Sequence, residues 1–272
     1  MQRAEAQDLF RTLVTAVGEV PLDVAMALYA VDELGEGDVD AWLGELDRLA
    51  QGLYLPDGAA LPEAVARLCQ HLFVAHGFHG DEAAYDDPRN SLLGSVLARK
   101  QGLPILLSAL LMEVGRRRGI ALDGIGFPGH FLVRPRQATP AFYIDAFHRG
   151  RILRDDELLA RFRKDSGLSP GPVAWAGLTA VSDARAMLVR MSQNLKGSHF
   201  RRGDLGGTLR SVERLCLLQP AEPDHRRDRG WLLIRVGRAA EGQADYEHYL
   251  RLRPRAEDAA EIRAELEGLK GS

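Results

Sequence analysis

The order of apolar and polar residues divides the chain into a helical front, a mixed middle and a helical tail. In the front, apolar residues recur at three- and four-residue steps in "EAQDLFRTLV", "LDVAMALYAVDEL" and "DVDAWLGELDRLAQGL". This spacing lines up one side of a helix and therefore predicts amphipathic helices. Asp38 or Asp40 is expected to cap the third helix, and Pro62 to open a fourth that ends near Gly77.

The middle of the chain changes from the helical period to the alternation of strands. Residues 104–118 are apolar on almost every side, which predicts a helix buried in the core. It ends in "RRRG", where cations and Gly119 suit a helix C-terminus. Strand-like segments follow near 122–126, 129–135 and 141–147, and "RGRIL" offers a fourth strand. The predicted fold class is α+β, with a buried helix that leads into an antiparallel sheet.

The tail is helical from about residue 183 and carries an internal repeat. Four pairs of identical residues lie 34 positions apart: Gly203 and Gly237, Glu213 and Glu247, Leu218 and Leu252, Pro220 and Pro254. A period of 34 is the signature of tetratricopeptide helix pairs. The expected organisation is a helical extension over 1–60, a core over 61–180 and helical repeats over 181–272.

Composition narrows the function classes. The net charge is −3, which gives no electrostatic footprint for nucleic acid. The longest apolar run, "LPILLSALLM", is too short to span a bilayer, so no membrane association is expected. The two cysteines, Cys69 and Cys216, favour a reducing, cytoplasmic setting over a disulfide scaffold. The sequence leaves the oligomeric state open.

His130 and Asp145 are the strongest candidate site residues, because they fall on two predicted neighbouring strands. An aspartate orients a catalytic imidazole in this way in many enzymes, although a buried histidine also needs such an acceptor for structural reasons alone. The cluster "HLFVAHGFH", with His71, His76 and His79, lacks the four-residue step of a metal-binding helix. No metal ion and no cofactor are expected.

Two long segments carry a family resemblance. "YDDPRNSLLGSVLARKQGLPILLSALLMEVGRRRGIALDGIGFPGHFLVR", followed by "FYIDAFHRG", resembles the SirB-type branch of the transglutaminase-like superfamily. "RDRGWLLIRVGRAAEGQADYEHYLRLRP" resembles the tetratricopeptide segment that follows the domain in this bacterial group. The resemblance covers roughly residues 60–260. It implies a transglutaminase-like, papain-like core.

In active members, a cysteine at the start of the buried helix precedes the histidine and the aspartate. Here the family pattern, counted back from Gly119, puts Pro104 at the position of that nucleophile. Proline has no ionisable side chain and no backbone N–H, although it suits the first turn of a helix. Ser108 lies about 6 Å further along the helix, and a mid-helix serine is expected to bond back to its own helix. Cys69 and Cys216 are expected to be buried hydrophobic residues.

Three further residues are candidates for ligand binding. Asn90 and Ser91 could cap a helix over 92–100, a role that Asp87 could also fill, or they could line the cleft. His148 resembles a family position that follows the aspartate. Two functions stay open: a non-catalytic scaffold whose repeats bind a protein or peptide, and a hydrolase or acyl-transfer enzyme that uses His130 and Asp145 with water or another nucleophile. The first is favoured, and the enzyme class is left undecided.

Overall fold

A computed structural model describes residues 1–270 and shows helices at both ends of the chain and an antiparallel sheet between them. The helices are α1 (Arg3–Thr15), α2 (Leu22–Leu34), α3 (Val39–Gln51), α4 (Leu61–Cys69), α5 (Leu93–Arg99), α6 (Pro104–Arg117), α7 (Asp155–Ser166), α8 (Pro172–Leu178), α9 (Ala184–Arg201), α10 (Leu205–Leu218), α11 (Pro223–Arg235), α12 (Ala239–Leu252) and α13 (Ala259–Lys270). The strands are β1 (His79–Gly80), β2 (Gln101–Gly102), β3 (Leu122–Ile125), β4 (Leu132–Pro135), β5 (Tyr143–Asp145), β6 (Arg151–Leu153) and β7 (Val181–Ser182). The α+β class is confirmed.

The chain forms two compact units, residues 1–188 and residues 189–272. The first unit contains α1 to α8 and all seven strands of the described chain. The second contains α10 to α13. The finer division, with a separate extension over 1–60 and a boundary at 181, stays a prediction. No helix within residues 1–270 is long and apolar enough to cross a membrane.

The main sheet has the strand order β6-β5-β4-β3-β7, and every pair in it is antiparallel. Short strands and tight turns bring sequence neighbours side by side, so the four predicted strands pair in order. One apolar cluster of this unit consists of Ile125, Phe127, Leu132, Tyr143, Leu153 and Leu158. Partly buried Phe162 and Trp175, from α7 and α8, pack against this cluster.

Three strands lie outside the sequence prediction. β7 adds to the free edge of β3, and β1 pairs with β2 in a separate parallel ladder. Each of these strands has two residues, which is too short to show the alternation by which a strand is recognised. The β1–β2 pair has structural importance nonetheless, because β2 ends one residue before Leu103, the residue that caps α6.

Helix α6 is buried along its length, as its apolar pattern predicts. Pro104 occupies the first turn, where the missing backbone donor costs nothing. At the other end Gly119 adopts a φ of +74°, a left-handed conformation that glycine tolerates best. Apolar burial thus fixes the helix, and proline and glycine define its two ends.

A cluster of charges ties the C-terminal end of α6 to α2 and α3. Arg117 donates to Asp23 and Asp47 at 2.7 Å each, and to the Glu113 carboxylate at 2.8 Å. Burial alone would raise the pKa of Asp23, but hydrogen bonds from Arg117 and Val24 and the nearby guanidinium charges hold it below its usual range. Burial and the Asp23 charge raise the pKa of Glu113. Arg117 therefore compensates two buried carboxyl groups at once.

The second unit shows the predicted repeat in its helix ends. Gly203 and Gly237, 34 residues apart, both adopt positive φ angles, +71° and +85°. Leu218 and Leu252 are the last residues of α10 and α12. Corresponding positions therefore occupy corresponding turns, and the segment folds as tetratricopeptide-like helix pairs.

The helix pair α11 and α12 packs backbone against backbone. A Cβ added to Gly242 would lie 2.7 Å from the carbonyl oxygen of Gly230, and one added to Gly230 would lie 3.0 Å from that of Gly242. Only glycine permits this approach. Leu232 and Leu233 of α11 then pack against Leu209 and Val212 of α10, while Tyr246 and Tyr249 of α12 pack against Ile262 and Leu266 of α13.

We predict that Arg117→Ala lowers the free energy of unfolding by about 3 kcal/mol, because it removes the more buried of the two guanidinium groups that pair with Asp23 and Glu113 and leaves the exposed Arg116 alone. Urea unfolding at neutral pH measures the change. The matched control is Arg48→Ala, which removes an exposed pair with Glu45 and should change stability by about 0.5 kcal/mol or less. Equal losses in the two variants would contradict the role given to Arg117.

Candidate functional site

His130 lies in the turn that precedes β4. Pro128 and Gly129 form the turn, with Gly129 at a φ of +68°, and the backbone N–H of His130 donates to the carbonyl of Phe127 at 3.0 Å. The sequence pattern placed His130 within a strand from 129 to 135, but the strand begins only at Leu132. The proline-glycine turn delays the strand, and a turn residue can point its ring along the end of the sheet.

Asp145 is the last residue of β5, and its carboxylate meets the His130 ring. The distance from His130 Nε2 to Asp145 Oδ1 is 2.7 Å, so the hydrogen bond predicted between them is present. Both side chains are buried, with 5% and 2% of their surface exposed. A bond of this length between buried groups fixes the orientation of the imidazole.

His148 binds the same carboxylate from the other side. Its Nδ1 lies 2.8 Å from Asp145 Oδ2, and its backbone N–H donates to Asp145 Oδ1 at 3.2 Å. The sequence analysis marked His148 as a ligand-binding candidate but did not predict this contact. The available signal was the three-residue spacing, since an aspartate commonly accepts from the backbone and side chains of the turn that follows it.

The surroundings of Asp145 keep its carboxyl group ionised. Burial raises the pKa of Asp145, but the hydrogen bonds and charges of His130 and His148 outweigh this and lower the pKa below its usual value. Because the carboxylate can only accept, His130 must carry a proton on Nε2 and His148 a proton on Nδ1. In a neutral His130 ring, Nδ1 is then the basic nitrogen.

The turn that carries His148 is joined to the start of α6 through the small parallel ladder. The backbone N–H of Gly80 donates to the carbonyl of Phe147 at 2.9 Å, and Gly80 pairs with Gly102. Gly102 lies two residues before Pro104. A Cβ on Gly80 would lie 2.4 Å from the Phe147 ring, so only glycine permits this contact. The ladder therefore couples the Asp145–His148 turn to the N-terminus of α6.

Asn90 stabilises this junction through hydrogen bonds of its side chain and backbone. Its side-chain amide donates to the carbonyl of Ala84 at 2.7 Å, its side-chain oxygen accepts from Arg99 at 3.0 Å, and its backbone carbonyl accepts from Leu103 at 2.9 Å. Asn90 and Ser91 are buried in a 3₁₀ turn, Pro88–Ser91. The expected capping of helix 92–100 by Asn90 or Asp87 is wrong: α5 starts without a side-chain cap, and Asp87 caps the 3₁₀ turn instead. Proline at 88 starts that extra turn and displaces the cap.

The surroundings of the other nucleophile candidates do not favour a reactive group. Ser108 is fully buried, and its Oγ has no hydrogen-bond partner within residues 1–270, so the expected bond back to its own helix is absent. Cys69 is buried, and burial raises the pKa of its thiol to about 12. Burial also raises the pKa of Cys216 to about 11. Thiols of this kind are almost fully protonated at neutral pH and react slowly.

The cluster of His71, His76 and His79 is engaged in local contacts. His71 Nε2 lies 2.8 Å from the carbonyl oxygen of Leu49, and the His71 and His76 rings meet edge to face with centroids 4.5 Å apart. His79 contacts the carbonyl of Gly77 at 2.8 Å. These three rings do not converge on one point.

A cleft of about 590 Å³ opens beside Asp145 and His148. Its other walls come from β6 and α7 and are strongly charged: Arg151, Glu157, Arg161, Lys164 and Asp165. Two of the cations are paired, Arg151 with Glu157 at 3.1 Å and Arg161 with Asp165 at 3.8 Å. The exposed ring of His148 therefore faces a polar cleft whose charges largely compensate one another.

Comparison with known proteins identifies both parts of the chain. Residues 40–193 match the model of the transglutaminase-like superfamily, and residues 195–267 match that of the tetratricopeptide repeat. A UPF0162 protein of Xylella fastidiosa is 33% identical over 95% of this chain and 93% of its own length. A UPF0162 protein of Vibrio cholerae is 30% identical over 76% of this chain and 74% of its own.

A further relative shares less than half of the chain. The mouse protein F-box only protein 21 is 31% identical over 46% of this chain and 20% of its own length. The shared stretch is a small part of that larger protein. The two family models and the two UPF0162 relatives show that this chain belongs to the transglutaminase-like superfamily, among the UPF0162 proteins, and carries tetratricopeptide repeats behind its transglutaminase-like domain.

Proposed function

We propose that this protein is a non-catalytic scaffold, in which a transglutaminase-like domain has lost its nucleophile and the tetratricopeptide tail binds a protein or peptide. One observation carries the proposal. The imidazole–carboxylate pair of His130 and Asp145 is complete, whereas the helix that the small ladder joins to it begins with Pro104. The SirB-type assignment and a cytoplasmic location belong to the same proposal.

The chemical reason lies in what proline removes. A cysteine in the first turn of a helix gains thiolate character from the helix dipole and from a nearby imidazole. Pro104 supplies no sulfur, and it has no N–H to stabilise a developing oxyanion. The same residue is favourable for the helix itself. The domain thus keeps its fold, and we infer that the cleft has become a binding or purely structural feature.

The alternative is a hydrolase or acyl-transfer enzyme that uses the His130–Asp145 pair to activate water or another nucleophile. The 2.7 Å contact between the two residues favours it, since the carboxylate would orient His130 and stabilise its protonated form. The environment of Ser108 argues against Ser108 as the nucleophile, because its hydroxyl has no hydrogen bond to His130 or to any other residue within 1–270. In this alternative His148 would contact substrate, whereas Asn90 and Ser91 are buried away from the residues that line its cleft and would have a structural role.

The tail supports the binding role. Tetratricopeptide pairs usually mediate protein interactions, and stacked pairs form an extended surface for a peptide. In this segment Phe200 and Leu252 expose 56% of their surface each, which leaves large apolar side chains available for contact. We propose that a protein or peptide partner binds there.

We predict that Pro104→Cys creates a thiol of lowered pKa in a chain that also carries Cys69→Ser and Cys216→Ser. The dependence of alkylation rate on pH measures this pKa directly. The matched control is Pro223→Cys, because Pro223 also occupies the first turn of a helix, α11, and belongs to the second unit. The midpoint of Pro104→Cys should lie about one pH unit or more below that of the control.

Adding His130→Ala to Pro104→Cys separates the imidazole from the helix dipole. The midpoint should then rise toward that of Pro223→Cys, because the imidazole no longer favours the thiolate while the helix dipole still does. If the midpoints of Pro104→Cys and Pro223→Cys agree while His130 is present, residue 104 does not occupy a nucleophile position and the proposal of a lost active site is wrong.

We predict that partners captured by the full-length protein cross-link to residues 189–272. Phe200→Ala combined with Leu252→Ala should weaken capture at least about tenfold, since a few side chains carry most of the binding energy of an interface. Tyr54→Ala, which removes an exposed ring from the first unit, is the control and should leave capture unchanged. Cross-links confined to the cleft around His148, and abolished by His130→Ala, would contradict the scaffold role and favour the enzyme.

A further inference from the structure

His130, Asp145 and His148 form one group of metal-ligand type. Each of the three side chains offers one ligand atom, and these atoms all lie within 4.8 Å of one another. Within residues 1–270, this is the group of three or more histidine, cysteine or carboxylate side chains that meets this distance. The sequence expectation of no metal rested on the spacing of His71, His76 and His79. The fold instead brings together His130 from the turn before β4, Asp145 from the end of β5 and His148 from the turn after β5.

The carboxylate of Asp145 lies between the two rings. Its Oδ1 is 2.7 Å from His130 Nε2, and its Oδ2 is 2.8 Å from His148 Nδ1. Both nitrogens therefore point at the carboxylate. Bonds from a metal ion to imidazole nitrogen and carboxylate oxygen are about 2.0–2.2 Å long, so small ring movements bring all three ligands around one ion.

The kind of ligand selects the kind of ion. Two imidazole nitrogens with one carboxylate suit divalent zinc, iron, cobalt or nickel, whereas magnesium and calcium take oxygen ligands. Three protein ligands also leave at least one coordination position open, as in metal sites that bind a further molecule. That position would face the cleft, because the His148 side chain is 46% exposed there.

Contacts within the protein also preorganise the three ligand side chains. The His130 and Asp145 side chains are almost fully buried, and the backbone carbonyl of Asp145 accepts from Gly150 at 2.8 Å. Of the cleft cations, Arg151 and Arg161 have carboxylate partners, which reduces their repulsion of an incoming cation. Rigid ligands lower the entropy cost of binding.

We propose that His130 Nε2, His148 Nδ1 and the Asp145 carboxylate bind one divalent transition-metal ion of the zinc class. Binding replaces the two N–H···O bonds by three metal–ligand bonds. A neutral ring keeps its proton by moving it to the other ring nitrogen, and a protonated ring releases one proton. The proposal goes beyond the scaffold function and does not depend on the partner of the tail.

The test uses the full-length chain after a chelator has removed any bound metal. Calorimetry then follows its titration with zinc ions and, separately, with magnesium ions. One zinc ion should bind per chain, and magnesium should not bind measurably. Cobalt ions provide a second readout, since their visible spectrum reports nitrogen and oxygen ligands directly. His148→Ala should weaken zinc binding by about 100-fold or more, because loss of a direct ligand costs at least as much as loss of an outer partner.

The matched control is His76→Ala, which removes another exposed histidine. It should bind zinc like the native chain, and both variants should be checked for an unchanged circular dichroism spectrum. If His148→Ala does not fold, His148→Gln replaces it. The proposal is wrong if the native chain binds no zinc, if His148→Ala binds as tightly as the native chain, or if His76→Ala alone abolishes binding.

Discussion

The structure of the candidate site depends on one buried carboxylate. Asp145 accepts from the ring of His130, from the ring of His148 and from the backbone N–H of His148. An unpaired buried carboxylate would be costly, so these three donors must stay in place together. They fix the turn before β4 relative to the turn after β5. The geometry of an acid–base pair is thereby maintained whether or not a reaction uses it.

Helix α6 gives this junction its support, and it is held at both ends. At its start, the backbone of Leu103 donates to Asn90, and the β1–β2 ladder ties the preceding residues to Phe147. At its end, Arg117 joins it to Asp23 and Asp47. A proline in the first turn disturbs neither attachment. The fold is therefore compatible with the proposed loss of a nucleophile at that position.

The sequence predicts those parts of the fold that leave a periodic pattern. The buried helix over 104–118, the strands that became β3 to β6 and the 34-residue repeat all rest on many residues each, and they are present in the structure. Strands β1, β2 and β7 have two residues each and leave no period to detect. The delayed start of β4 and the unexpected 3₁₀ turn at Pro88 both arise where a proline changes local geometry.

The same reasoning applies to the site. His130 and Asp145 could be paired from the sequence because strand order predicts their proximity. The contact of His148 with Asp145 depends on the conformation of a four-residue turn, and the role of Gly80 depends on a ladder that the pattern does not show. Within residues 1–270 the buried hydroxyl of Ser108 also has no partner, although a mid-helix serine commonly bonds back to its own helix.

The most direct test of this account is to measure which ring nitrogens of His130 and His148 carry protons in the metal-free protein. Long-range nitrogen–proton correlation spectra near pH 8 give this information. A buried carboxylate that only accepts requires a proton on Nε2 of His130 and on Nδ1 of His148. The His130 proton should also exchange slowly with solvent, since that ring is buried. A His130 ring that carries its proton on Nδ1 alone would contradict the account, because Asp145 could not then hold it.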